Sequence, residues 1–423
     1  MVTKSISEIT AHFFSKRALF WIFSISGFFI SLFLRRPEFL KDPQLWAEDG
    51  IFLSQAFNLG IKSLIFSHAG YQHLYIRLVA YLTDISPIAL IHYPKVYLAF
   101  WVMALLLVVY FVFKLSKLTC SQRMLLVLLI PMGPVANEPF FFLCATPVIL
   151  GLLFPLLISD PLHKSRTGKI FSLVLFGLIS LSGPYIIMLF PIILTISLRR
   201  LLLNEQRKYY KSLLMIASIC FVVQTLTIKS RIPLESRLFS LEALRPIGLT
   251  FSNLFSGHLA YQLKPMEWSV AALIGLAVYV YLFVDSFKKK NHFVYTNFYY
   301  AFIVLTATTI VCREDPSAIN PWFAGVRYFF IPTITSIWGI AAYLWSSERK
   351  ILRRLGYCFC ILQMSIFMVD FPYFERVTRV ESYTWSEEVK HIDPKSSQVN
   401  IPINPMNWYV HLNRPLLGEK TLY

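Results

Sequence analysis

Long apolar stretches alternate along this 423-residue chain with short polar stretches, most of them basic. Stretches able to cross about 30 Å of hydrocarbon, allowing for tilt and proline breaks, number about eleven. They fall near 18–34, 88–113, 124–136, 140–158, 170–182, 185–198, 212–228, 269–287, 293–311, 326–345 and 355–371. The third, fifth and sixth are short, as expected of half-helices or re-entrant segments whose backbone groups are satisfied by protein or water. Within 35–87 the pattern changes. "IFLSQAFNLGIKSLI" and "YQHLYIRLVAYL" are apolar on one side at helical spacing, which predicts amphipathic helices lying along a membrane surface. The fold class is therefore all-α and polytopic, with residues 1–371 as the multi-spanning domain and 372–423 as a small outer segment. No internal repeat or low-complexity linker interrupts it. Gly133-Pro134, Gly183-Pro184 and "NIPINPMNWY" mark breaks and turns.

Composition agrees with this reading. The chain is 56% hydrophobic, 16% aromatic and 15% charged, with a mean hydropathy of +0.57, which is the profile of a membrane protein. "SKRALFWIFSISGFFISLFLRRP" has the basic flank and apolar run of a signal sequence without a small-residue cleavage site, so a retained signal anchor is expected. The net charge of +17 suggests nucleic acid only until the charges are placed. With the N-terminus in the cytoplasm, "KLSKLTCSQR", "HKSRTGK", "RRLLLNEQRKYYK", "KKKNH" and "SSERKILRR" all fall inside. They hold, with the N-terminal tail, roughly half of the 40 Lys and Arg but few of the 23 acids. The basic balance is thus an orientation signal, and no nucleic-acid partner is expected. Six cysteines, none in a CxxC or zinc-type spacing, support neither a disulfide framework nor a metal site.

The residues with chemical potential lie on the expected outer side, mostly in the loop 35–87. In "LWAEDGIF", Glu48 and Asp49 are adjacent, so their mutual repulsion raises at least one pKa, and such a carboxylate can act as a general base toward a sugar hydroxyl. A plain Asp49-Gly50 turn with a solvated Glu48 fits the same letters. "HAGYQHLYIRL" sets His68, Tyr71, His73 and Arg77 within reach of a sugar or a phosphate. An interfacial aromatic belt with a snorkelling arginine is the alternative. Ser182–Tyr185, "SGPY", offers an anion site at a helix N-terminus or an ordinary hairpin turn. In "CREDPSAINPWFAGVRYFFIP", Arg313, Glu314 and Asp315 suit an ion cluster. Arg327 and Tyr328 start a span where an arginine is costly unless paired or facing a polar cavity, at the level of a lipid phosphate. The tail, rich in Trp, Tyr, Asn and Glu, suits carbohydrate contact or an ordinary folded segment.

"WAEDGIFLSQA", "HAGYQHLYIRL", "SGPY" and "GVRYFFIP", in that topological order, resemble the GT-C superfamily of membrane glycosyltransferases. Within it, the chain is similar to the serotype-converting O-antigen glucosyltransferases of enteric bacteria and their phages. The resemblance implies a hexosyltransferase in the bacterial inner membrane. It would move a sugar, glucose in that family, from a polyprenyl phosphate to lipid-linked O-antigen or a related surface polysaccharide at the periplasmic face. It implies no metal or other cofactor, and a donor synthase and a flippase in the same pathway. Carried onto this chain, the base is Asp49, with Glu48 the close second, and transfer inverts the anomeric centre in one step. His68, Tyr71, His73, Arg77, Tyr185, Arg313, Arg327 and Tyr328 are the substrate-binding candidates. The acidic pair is "ED" rather than the DxD of some relatives. An O-antigen polymerase or ligase would act through arginines of 229–268, such as Arg231, Arg237 and Arg245. A lipid-linked sugar flippase would carry mid-membrane charges and repeats.

Overall fold

The computed structural model describes residues 16–135, 137–159, 165–228, 244–311, 321, 325–377, 383–393, 396 and 398–413. The expected Arg313 cluster, Arg231 and Arg237 lie outside these residues. The described chain is mostly helical. In order, α1 (Lys16–Arg35), α2 (Pro37–Lys41) and α3 (Glu48–Leu59) lead to a two-stranded hairpin, β1 (Ser67–His68) with β2 (Tyr71–Gln72). Then follow α4 (Leu74–Ile85), α5 (Tyr93–Phe113), α6 (Cys120–Leu128), α7 (Thr146–Gly151), α8 (Leu153–Ser159), α9 (Arg166–Ser180), α10 (Tyr185–Leu202) and α11 (Arg207–Thr227). After them come α12 (Arg245–Ser256), α13 (Pro265–Lys288), α14 (His292–Val311), α15 (Arg327–Trp345), α16 (Lys350–Val377), α17 (Trp385–Lys390) and a second hairpin, β3 (Val399–Ile403) with β4 (Trp408–Leu412).

Six of the described helices are long and apolar enough to cross a membrane: Leu90–Phe113, Tyr185–Leu202, Arg207–Thr227, Pro265–Lys288, Arg327–Trp345 and Lys350–Tyr373. Their outer faces carry what lipid would cover. On α11, Met215, Ile219, Val222 and Leu226 recur at helical spacing and are all exposed; a continuous apolar stripe of this kind marks a membrane or partner contact. The central helix is α15, 78% buried over its apolar window against 28–39% for the other five. It packs between α14 and α16, and the indole of Trp338 donates to the carbonyl of Leu126 at 3.0 Å.

The expected spans near 124–136 and 140–158 are broken. A capping box between Thr119 and Gln122 starts α6, but the helix stops at Leu128 because Pro131 and Pro134 lack the N–H that would continue it. Chain without a ladder at this depth needs other partners, and Arg35 supplies them. Its Nε donates to the carbonyl of Pro131, Nη1 to Val135 and to the side chain of Asn137, and Nη2 to Gly133. The Asn253 amide takes the carbonyl of Pro134. Arg36, next along, is stacked against Phe39 and Phe142, its Cζ 4.9 and 4.7 Å from the ring centres, a contact that helps a buried cation.

The basic turns gather at one end of the bundle. A cavity there is lined by Arg199 and Lys290 from two different turns, and Asn291 reaches Ser346 of a third at 3.0 Å. The opposite end holds α2–α4, the segment 131–142, the "SGPY" turn, the start of α15 and the second hairpin. That hairpin was not expected. Val399, Ile401, Ile403, Val410 and Leu412 alternate inward and are buried, each contributing about 1.5–3 kcal/mol on leaving water. It docks on α3: Ser54 Oγ accepts from the backbone N–H of His411 at 2.7 Å, and Asn58 donates to the His411 carbonyl at 2.9 Å. The last span also runs farther than the sequence suggested, through Pro372 to Val377.

Candidate functional site

Four parts of the chain meet above the start of α15. Glu48 opens α3, Glu138 lies in the irregular segment after α6, Arg327 opens α15, and Trp408 comes from β4. With Trp46 and Phe142 they line a cavity of about 210 Å³. Arg327 sits between the two carboxylates. Its Nη1 donates to Glu48 Oε1 at 3.1 Å, its Nε lies 3.3 Å from Glu138 Oε1, and its backbone N–H donates to Glu138 Oε2 at 3.2 Å. All three side chains are half-buried, with exposures of 34% for Arg327, 19% for Glu48 and 27% for Glu138. Two carboxylates flank the Arg327 guanidinium, so a proton can be accepted at one acid while the arginine keeps the other.

Asp49 is elsewhere. It is 1% exposed and lies behind the cavity wall, where Oδ2 accepts the N–H of Trp46 at 3.1 Å and Oδ1 that of Cys144 at 2.7 Å. Asp49 thus ties the first loop to the start of the 143–159 segment, and Glu48 is the member of the pair that faces the cavity. Burial pushes the Asp49 carboxyl up to about 8, against the two N–H groups that pull it down. A raised acid holds its proton in the folded chain between about pH 4 and pH 8 while the unfolded chain has lost it. This contribution to stability is full below about pH 4 and is lost as the pH rises through 8. Asp49→Asn, whose amide can accept only one of the two N–H bonds, is expected to cost about 1–3 kcal/mol and to flatten that pH slope. Thermal unfolding of purified wild type and variant at pH 5 and pH 8.5 checks both points.

Gly50 makes no turn. It lies in the first turn of α3, where a Cβ would come within 2.6 Å of Ile403 Cδ1 and 2.8 Å of the Tyr409 carbonyl oxygen. The glycine lets the second hairpin sit on the helix. Gly50→Ala is expected to lift β4 and expose residues 383–413 to limited proteolysis, with cleavage in the variant and protection in the wild type as the readout.

The loop residues also converge. His68 and Tyr71 close β1 and β2 around the two-residue turn Ala69-Gly70, whose positive φ angles of 50° and 88° match the twist of a tight hairpin. The expected second amphipathic helix therefore starts only at Leu74. Its first N–H groups go to the "SGPY" region: Leu74 donates to the Leu181 carbonyl and Tyr75 to Ser182 Oγ, both at 2.9 Å. Gln224 fixes that turn by donating to the carbonyls of Ser180 and Gly183. The turn is a hairpin connection whose serine is committed to α4.

Tyr71 lies over His73 with ring centres 4.4 Å apart, and His68, His73 and the Arg77 guanidinium all pack around the Phe52 ring. Burial pushes the Tyr71 phenol up to about 12 and the His73 imidazole down to about 3, and it lowers His68 as well. At neutral pH both histidines are uncharged. Tyr71 is in electrostatic reach of Glu48, Arg327 and Tyr328, and Tyr185 of Tyr71, Tyr328 and Arg327. Of the candidates among the described residues, Glu48, His68, Tyr71, Tyr185, Arg327 and Tyr328 thus surround one region. Arg77 is buried rather than snorkelling. Glu138, inside "VANEPFFF", and Trp408 were missed. Among the described residues no group of His, Cys, Asp or Glu is arranged to hold a metal ion.

No family model, curated protein or solved structure matches this chain.

Proposed function

We propose that this chain is a glycosyltransferase of the bacterial inner membrane. In this reading it moves a sugar, with glucose the choice suggested by the resemblance, from a polyprenyl phosphate to lipid-linked O-antigen or a related polysaccharide at the periplasmic face. The observation that carries it is the Glu48–Arg327–Glu138 arrangement in a cavity at the head of an apolar helix bundle. An enzyme whose donor diffuses in the bilayer needs its reacting groups at the boundary between apolar spans and water. It also needs a carboxylate that can take a proton without stranding its partner cation. Glu48 meets both needs and replaces Asp49 as the base. The acceptor hydroxyl oxygen attacks the anomeric carbon, its proton passes to Glu48, and the bond from that carbon to the phosphate oxygen breaks with its electron pair leaving on the lipid phosphate. Glu138 keeps Arg327 in place while Glu48 is protonated. Trp46 and Trp408 offer rings on which the acceptor sugar stacks.

The test is sugar transfer in membranes containing the full chain, given polyprenyl-phosphate glucose and lipid-linked O-antigen. New sugar on the acceptor supports the reading. A changed chain-length distribution without new sugar replaces it with a polymerase, and donor moved across the bilayer without transfer replaces it with a flippase.

A further inference from the structure

The end of the bundle away from Glu48 carries a wide-mouthed cavity of about 480 Å³. Thr195, Leu198, Arg199 and Leu202 recur at helical spacing on one face of α10 and line it, with Leu203 just past the helix and Lys290 from the turn between α13 and α14. α10 runs for 18 residues from Tyr185, so its own length of about 27 Å separates this cavity from the region of Tyr185 and Arg327. The walls are of two kinds. Leu198, Leu202 and Leu203 are exposed, Leu202 by 83%. Beside them stand Arg199 and Lys290, neither of which makes an ion pair among the described residues. Two acids of the same turns are already taken, Glu205 by Arg200 and Asp285 by Lys289 at 2.7 Å. Arg199 packs on Phe287, its Cζ 5.9 Å from the ring centre. Lys117, Arg199 and Arg200 all lie in electrostatic reach of His292, two residues past Lys290, so the positive field extends behind the cavity. Lys290 has a φ of 57° where the chain leaves α13, a position that favours glycine over any L side chain. A lysine there sets a charge at the cavity rim at a conformational cost.

A small anion would meet the two cations and leave the leucines bare. An apolar chain would cover the leucines and leave the cations without a counter-charge. An amphiphile with an anionic head satisfies both. We propose that this cavity seats one acidic phospholipid, its phosphate held by Arg199 and Lys290 and its acyl chains laid along Leu198, Leu202 and Leu203. The bound headgroup ties the end of α10 to the turn between α13 and α14. The proposal is independent of the transferase reading, which concerns the other end of the bundle.

The experiment is thermal unfolding of the purified full chain in detergent, with dioleoyl phosphatidylglycerol, dioleoyl phosphatidylcholine or inorganic phosphate added over a range of concentrations. Phosphatidylglycerol is expected to raise the unfolding temperature. Phosphatidylcholine, with the same chains and no net charge, is expected to do so much less, and inorganic phosphate not at all. Arg199→Gln and Lys290→Gly are each expected to weaken phosphatidylglycerol about fivefold, the effect of one basic residue at an acidic lipid surface. Lys290→Gly relieves the backbone as it removes the charge, so its lipid-free stability is expected to hold while its lipid response falls. Loss of a merely structural lysine would not separate the two. Lys211→Gln, at an exposed lysine in the first turns of α11 outside the cavity, is the control and is expected to bind as the wild type does. If Arg199→Gln does not accumulate, Lys290→Gly carries the comparison. Equal stabilisation by phosphatidylcholine overturns the proposal, as does a wild-type lipid response in the cavity variants that fold. An equal loss in Lys211→Gln overturns it in favour of diffuse attraction to a basic surface. Stabilisation by inorganic phosphate with the same variant dependence overturns it in favour of a free-phosphate site.

Discussion

Glu48→Gln is expected to lower sugar transfer by about 10²–10⁴-fold, the usual contribution of a general base, while the protein accumulates normally. Glutamine keeps the shape of the side chain and one oxygen to accept from Arg327, so the cavity wall is preserved. What it cannot do is take a proton. Glu138→Gln separates the two acids: Glu138 holds both the backbone N–H and the Nε side of Arg327, so its loss shifts the arginine without removing the base. A smaller decrease, with Glu48 still essential, is the expected pattern. The assay compares initial rates in membranes matched for protein amount. Transfer by Glu48→Gln within threefold of wild type would remove Glu48 as the base.

Arg35→Gln is expected to prevent accumulation of the folded protein. The guanidinium takes three backbone carbonyls and the Asn137 side chain of the segment that α6 leaves unwound. Each buried carbonyl left without a donor costs about 1–3 kcal/mol, which puts three of them at about 3–9 kcal/mol. That is comparable with the whole stability of many domains. Glutamine replaces at most one or two of these bonds. Arg35→Lys should fall between, because an ammonium lacks the flat fork that reaches several acceptors at once. The measurement is the amount of full-length protein in the membrane fraction and its elution as a single species after solubilisation. A normal yield of monodisperse Arg35→Gln would show that the segment is held by other means.

The two arginines mark what the sequence makes legible. Arg327 was legible because a charge at the head of an apolar span has to be explained, but the sequence placed it against a lipid phosphate, and its pairing with Glu48 and Glu138 came only from the structure. Arg35 was hidden because a basic residue after an apolar run reads as a topology signal, and nothing local says that its partners lie about 100 residues away. Glu138 was hidden for a similar reason, standing alone between two apolar stretches that favour a span. The adjacent pair Glu48 and Asp49 was found, but not the division of labour between them. Successive residues of a helix point about 100° apart, and only the packing of Cys144 and Trp46 decides which one is buried. The second hairpin was partly readable: "VNIPI" and "WYVHL" alternate as strands do, yet the tail's polar composition drew attention to carbohydrate contact instead. The helices were the easy part, because the length of an apolar run is a one-dimensional signal, whereas the breaks depend on distant side chains.

The docking of the second hairpin on α3 has a consequence for timing. Asn58 and His411 are 353 residues apart, and the wall residue Trp408 is made after every one of the six spans. At about 5–20 residues per second, a ribosome needs about 20–70 s to travel from one to the other. Throughout that interval Glu48 lacks the part of its cavity wall that Trp408 supplies. The cavity therefore gains its last wall only once the hairpin has been made and has docked.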